Sequence, residues 1–81
     1  MDQVLAFGKV LRTLRRDAGL TQEELSFRAD IERNYVSLIE RGINQPTIRV
    51  IFKLATALNT KPSTIFAMVE REVEVATKEG S

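Results

Sequence analysis

The residues 33–41, Arg-Asn-Tyr-Val-Ser-Leu-Ile-Glu-Arg, carry the side chains best suited to chemistry. Wound as a helix, Val36 and Ile39 turn to one side. Arg33, Ser37 and Arg41 then form an i, i+4, i+8 row on the other side, with Asn34 and Leu38 in the adjacent row. An arginine fork matches guanine O6 and N7, an asparagine amide matches adenine N6 and N7, and an apolar side chain such as Leu38 can touch a thymine methyl. A solvated helix face can have the same composition, so what precedes the row decides between the readings.

What precedes it is a second short helix and a tight turn. Thr21-Gln22-Glu23-Glu24 is a capping box, in which the Thr21 hydroxyl takes the Glu24 amide and the Glu24 carboxylate reaches back. Leu25 and Ala29 face inward at i, i+4, and Asp30 suits the left-handed position of a turn. Gly42 closes the third helix, expected over 33–41, while Glu32 stands where Ser, Thr, Asp or Asn would cap better. A capped helix, a turn and a polar-faced helix favour groove contact by Arg33, Asn34, Ser37 and Leu38 over a solvated face.

Two helices of this length cannot bury a core, so other elements must hold them. Val4, Phe7, Leu11, Leu14 and Ala18 make one continuous stripe on a first helix over 3–18, which Gly19 stops. After an Ile43-Asn44-Gln45-Pro46 loop, Thr47 caps a fourth helix through Leu58 that is apolar nearly all round. Asn59-Thr60-Lys61-Pro62 breaks it, and Ser63 is expected to cap a fifth helix bearing Ile65, Phe66, Met68, Val69, Val73 and Ala76. Residues 1–76 therefore read as one all-α, five-helix domain, with a frayed tail over 77–81. So small a domain cannot hide all these side chains, and Leu54, Phe66, Val69 and Val73 are expected at a homodimer interface.

Composition narrows the chemistry. With no cysteine and no histidine, thiol nucleophiles, imidazole bases and the common zinc sites are excluded. The close carboxylates, Glu23-Glu24 and Glu70/Glu72/Glu74, have no nucleophile or metal ligand beside them, and no glycine-rich phosphate loop occurs. Neither an enzyme, a cofactor nor a small-molecule ligand is expected. No apolar run approaches the roughly 20 residues of a bilayer span, and no signal-peptide pattern opens the chain, so a soluble cytoplasmic protein without a membrane partner is expected. The net charge of +1 conceals an asymmetry: residues 1–61 hold ten basic and seven acidic side chains, and residues 62–81 hold two and four. The basic excess accompanies the two-helix unit.

Residues 6–66 resemble the Cro/phage-repressor-type helix-turn-helix transcription regulators. The likeness rests on the Leu-Arg helix before Gly19-Leu20, then TQEEL, the turn ADIE, RNYVSLIERG and a proline-containing loop. Within that family RNYVSLIERG and the short length look most like the controller proteins of restriction–modification systems; phage-like repressors and antitoxin-type autoregulators are the alternatives. The resemblance implies a lambda-repressor-like fold whose helices 2 and 3 bind double-stranded DNA as a homodimer. It implies that Gln22 meets a phosphate and braces the recognition helix, that Arg33, Asn34 and Ser37 read bases, and that Arg41 and Asn44 lie near phosphates. Tyr35 matches a backbone-reaching aromatic, or else a half-buried structural one; Arg28 offers a further phosphate contact or a surface ion pair. It further implies a partly buried Arg15–Glu40 pair tying the first helix to the third. Glu32 departs from the family, where Ser or Thr is frequent. A protein-interaction module that docks a partner on the exposed row is the reading of a different class.

Overall fold

Most of the helix boundaries rest on a local device written into the sequence. The computed structural model describes residues 1–80, with side chains through Thr77. Among them lie α1 (Gln3–Asp17), α2 (Gln22–Ala29), α3 (Arg33–Glu40), α4 (Ile48–Ala57) and α5 (Pro62–Gly80). Asp2 caps α1, accepting the Val4 and Leu5 amides at 2.8 and 3.2 Å. Gly19 follows with φ +72°, and the Leu20 amide reaches back to the Arg15 carbonyl at 3.0 Å. The Thr21 capping box closes in both directions, and Thr47 takes the Val50 amide at 3.2 Å. Asp30 sits left-handed at φ 56°, as a tight α2–α3 turn requires. Gly42 ends α3 at φ +72°, with the Ile43 amide on the Leu38 carbonyl at 2.9 Å.

The fifth helix departs from expectation at its start. Ser63 does not cap it. Pro62 opens the helix instead, where its fixed φ suits the first turn and its missing N–H is no loss. At the other end α5 extends to Gly80, and the Thr77 hydroxyl donates to the Val73 carbonyl at 2.8 Å. Ser81 lies outside the described residues.

Helix α1 packs on α3 and α5, while α2 packs on α3 and α4. Leu11, Leu25, Val36, Ile39, Leu54 and Ile65 are fully buried where these elements meet. The α1 stripe is rotated from the expected one: Ala6, Phe7, Val10 and Leu11 are buried, Val4 and Leu14 half-buried, and Ala18 exposed. Gly8 explains the rotation, because it faces the α3 carbonyls. A Cβ there would collide with the Ile39 oxygen and come within 2.7 Å of the Glu40 oxygen. The first helix can thus lie directly against the end of α3.

One expected interface residue, Leu54, belongs wholly to the subunit's own core, while Val69 is mostly buried but lines the groove beside α5. Leu54 is fully buried and Val69 is 6% exposed, so Leu54 has no surface for a second copy. The reason is that α4 is less isotropic than its composition suggests. Val50, Ile51, Leu54 and Ala55 fill the interior, and Ile48 and Phe52 project outward. Phe66 remains 45% exposed, its ring tilted 53° against Phe7 at 6.1 Å, and Val73 is half-buried.

Candidate nucleic-acid interface

The α2–α3 unit is fastened by its inner side and open on its outer side. Val36 and Ile39 are fully buried, and Glu40, next along the chain, turns its carboxylate into the seam between α1 and α2. On the opposite side Arg33, Asn34 and Arg41 are exposed, and Ser37 and Leu38 are half-buried. The five are therefore brought onto one outer side of α3. Tyr35 is half-buried and packs against the core, with part of its surface still free. Glu32 occupies the N-cap of α3 without a side-chain cap bond, so the first amides of α3 have no capping acceptor.

Glu40 is the hub behind this face, its side chain fully buried. Arg15 approaches as a fork, Nε donating to Oε2 at 2.6 Å and Nη2 to Oε1 at 3.0 Å. The same guanidinium donates from Nη1 to the Leu20 carbonyl at 2.8 Å, tying the α1–α2 connection into the network. Gln22 Nε2 donates to Glu40 Oε1 at 3.1 Å. Burial opposes ionisation of Glu40, yet the hydrogen bonds from Arg15 and Gln22, the charge of Arg15 and, last, the long approach of Arg12 outweigh it and hold the carboxyl below its ordinary value. The bond to Glu40 in turn raises Arg15 against the opposing effect of burial. The expected Arg15–Glu40 pair is present, and Gln22 Nε2 joins it, linking the first position of α2 to the end of α3.

The remaining positions surround this core of the site. Arg28 is exposed near the end of α2 and, among the described residues, makes no ion pair within 4.0 Å. It shares a shallow surface with Arg49 and Lys53 of α4. Asn44 is half-buried in the loop after α3, its backbone N–H donating to the Leu38 carbonyl at 3.3 Å. Two participants had no part in the sequence reading. Lys53 lies 3.5 Å from the Asp30 carbonyl at the α2–α3 turn, and Arg12 lies 3.5 Å from Glu40 Oε1. Arg12 precedes Arg15 by three residues and so shares its helix face, a signal visible in the sequence once Arg15 is placed. Among the described residues no cluster of acidic side chains could hold a metal ion, and no helix is long and apolar enough to cross a membrane.

A helix-turn-helix family model matches residues 11–65. The chain is 41% identical, over 58 residues, to the uncharacterized HTH-type transcriptional regulator y4dJ of Sinorhizobium fredii, covering 72% of this chain and 75% of that one. The restriction-modification controller protein C.AhdI from Aeromonas hydrophila superposes with a TM-score of 0.75 at 42% identity, over 76% of this chain and 94% of that chain. The controller protein C.Esp1396I, solved as a tetramer in complex with its natural 35 base-pair operator, superposes with a TM-score of 0.82 at 26% identity, over 90% and 96% of the two chains.

Proposed function

Because the chain belongs to the Cro/phage-repressor-type helix-turn-helix family of non-enzymatic, DNA-binding transcription regulators, we propose that it acts as a homodimer on a pseudo-palindromic operator, in the manner of a restriction–modification controller protein. The observation that carries the reading is the two-sided α3. Its inner face is fixed to α1 and α2 through Glu40, while on its outer face Arg33 and Asn34 are exposed and Ser37 and Leu38 half-exposed. In this reading α3 enters the major groove, Arg33 supplies the strongest base discrimination, and Asn34, Ser37 and Leu38 complete the direct contacts. Gln22, Tyr35, Arg41, Asn44 and Arg28 surround that row and meet the backbone. The likeness to C.AhdI and C.Esp1396I supports the controller assignment.

The homodimer reading rests on an open groove of about 1070 Å³ beside α5. That volume lies just above the ~300–1,000 Å³ usual for small ligands, and the groove is unenclosed, so it suits a protein surface better. Phe66 and Val73 border it, and Glu70 and Glu74 form an acidic rim. Ile48, exposed at the edge of the same groove, also borders the surface of Arg49 and Phe52. A second copy related by a two-fold axis near Ile48 would set each basic α4 surface against the other's acidic rim.

In vitro selection from a randomised duplex pool tests the reading, followed by titration of the selected site at rising salt. The expected site is two-fold symmetric, with half-sites one helical turn or about 34 Å apart, and affinity falls steeply as salt rises. Arg33→Ala flattens the preference at one base pair of each half-site, a loss of ~1–3 kcal/mol. A pool that yields no enriched sequence, with binding indifferent to salt, points instead to a module that docks a protein.

A further inference from the structure

We propose that Arg12 is a phosphodiester contact, forming with Gln22 a composite anion site that Glu40 holds in place; this rests on the DNA-binding reading above. Glu40 has little acceptor capacity left. Its Oε2 receives Arg15 Nε at 2.6 Å, and its Oε1 receives both Arg15 Nη2 at 3.0 Å and Gln22 Nε2 at 3.1 Å. Arg12 Nε approaches the same Oε1 but stays 3.5 Å away, and this buried nitrogen has no hydrogen-bond partner. Two guanidiniums thus face one carboxylate, leaving the cluster with one surplus positive charge.

The surplus is displayed outward through Arg12. The Arg15 side chain is 10% exposed and spent on Glu40 and Leu20, whereas the Arg12 side chain is 43% exposed. Arg12 and Gln22 converge on one carboxylate oxygen at the end of α3, from α1 and from the first position of α2. Gln22 has a second amide hydrogen to donate. An anion with several acceptor oxygens would neutralise the surplus and take donors from both side chains, which a phosphodiester does and a lone carbonyl does not. The attraction of Glu40 holds the Arg12 stem, so the guanidinium loses little freedom when the anion arrives. Such a contact carries no base information and acts on every duplex alike.

The test compares Arg12→Gln and Arg12→Lys with the wild-type full chain, on the selected site and on a scrambled duplex, across a salt series. Arg12→Gln is expected to weaken both duplexes about equally, roughly tenfold near 0.1 M salt, and to make the log–log salt slope shallower by about one. Arg12→Lys retains the slope, and thermal melting of both variants stays near that of the wild type. An unchanged slope with a lowered melting temperature would mean that Arg12 merely supports Glu40, and overturns the assignment while duplex binding stands. Wild-type protein that binds no duplex overturns both readings. Inorganic phosphate titrated without DNA and followed by 31P NMR distinguishes the remaining source. Arg12-dependent binding of free phosphate with an unchanged duplex slope rejects the backbone contact.

Discussion

Removing the Glu40 carboxylate would leave Arg15 buried without its fork and Arg12 beside it, two like charges where a neutralising anion had been. Glu40→Ala is therefore expected to lose ~3–5 kcal/mol in urea unfolding, the usual cost of breaking a buried pair from one side. The pair also sets an acid limit. A carboxyl held below its ordinary value when folded binds its proton more readily in the unfolded chain, so stability rises with pH through that window. The contribution is complete above the unfolded carboxylate value near ~4.3 and is lost as pH falls through the lower folded value. Glu24, lowered by its bonds to Thr21, adds in the same direction. Glu40→Gln should flatten the acid limb of a stability–pH curve measured by urea midpoint. At this scale the outer row was legible because helix periodicity alone separates Arg33, Ser37 and Arg41 from Val36 and Ile39. The role of Arg12 was not, since it depends on which oxygens of a residue 28 positions away are already occupied.

Among the elements, the contact of α1 with α3 governs the site, and Gly8 governs that contact. Alanine is the better helix former by ~1 kcal/mol, so an exposed Gly8→Ala would stabilise. Here the added Cβ meets backbone carbonyls of Ile39 and Glu40, which cannot swing aside as a side chain can. Gly8→Ala is expected to cost ~1–3 kcal/mol in thermal or urea unfolding, as overpacking does. A variant as stable as the parent would show that α1 can lift from α3 freely. All five helices could be read from periodicity, helped at α2 and α4 by N-cap bonds that span only three residues. The rotation of the α1 stripe could not, since a glycine on a helix face reads as a blemish until the neighbouring backbone is in place. The same applies to Ser63, a good cap by type that loses the position to Pro62 one residue earlier.

For the whole molecule the deciding quantity is the second copy. A domain of 81 residues buries only about 60% of its unfolded surface, and this one leaves Phe66, Ile48 and Phe52 substantially exposed. Phe66→Glu puts a charge on the proposed interface at a position already 45% exposed, so the monomer's fold should tolerate it. Sedimentation is expected to show the wild type as a dimer and Phe66→Glu as a monomer, with operator binding weakened and its dependence on protein concentration steeper. A wild-type monomer at high concentration removes the homodimer from the reading. Apolar content alone predicted an interface but mixed core residues with surface ones. Leu54 and Phe66 are equivalent in composition and opposite in exposure, and only the packing of α4 and α5 separates them.

By itself the amino-acid sequence determined that there are five helices, that two of them form a pair around a tight turn, and which side chains occupy the outer row of the second. It also removed thiol and imidazole chemistry outright. These are consequences of short spacings and residue types, which act before any long-range contact forms. The tertiary structure decided the rest: the occupancy of the Glu40 oxygens, the unpaired Arg12 nitrogen, the close approach at Gly8, and the burial of Leu54. Each depends on how helices distant in sequence cross, and a crossing is settled by steric fit and hydrogen-bond competition among all of them at once.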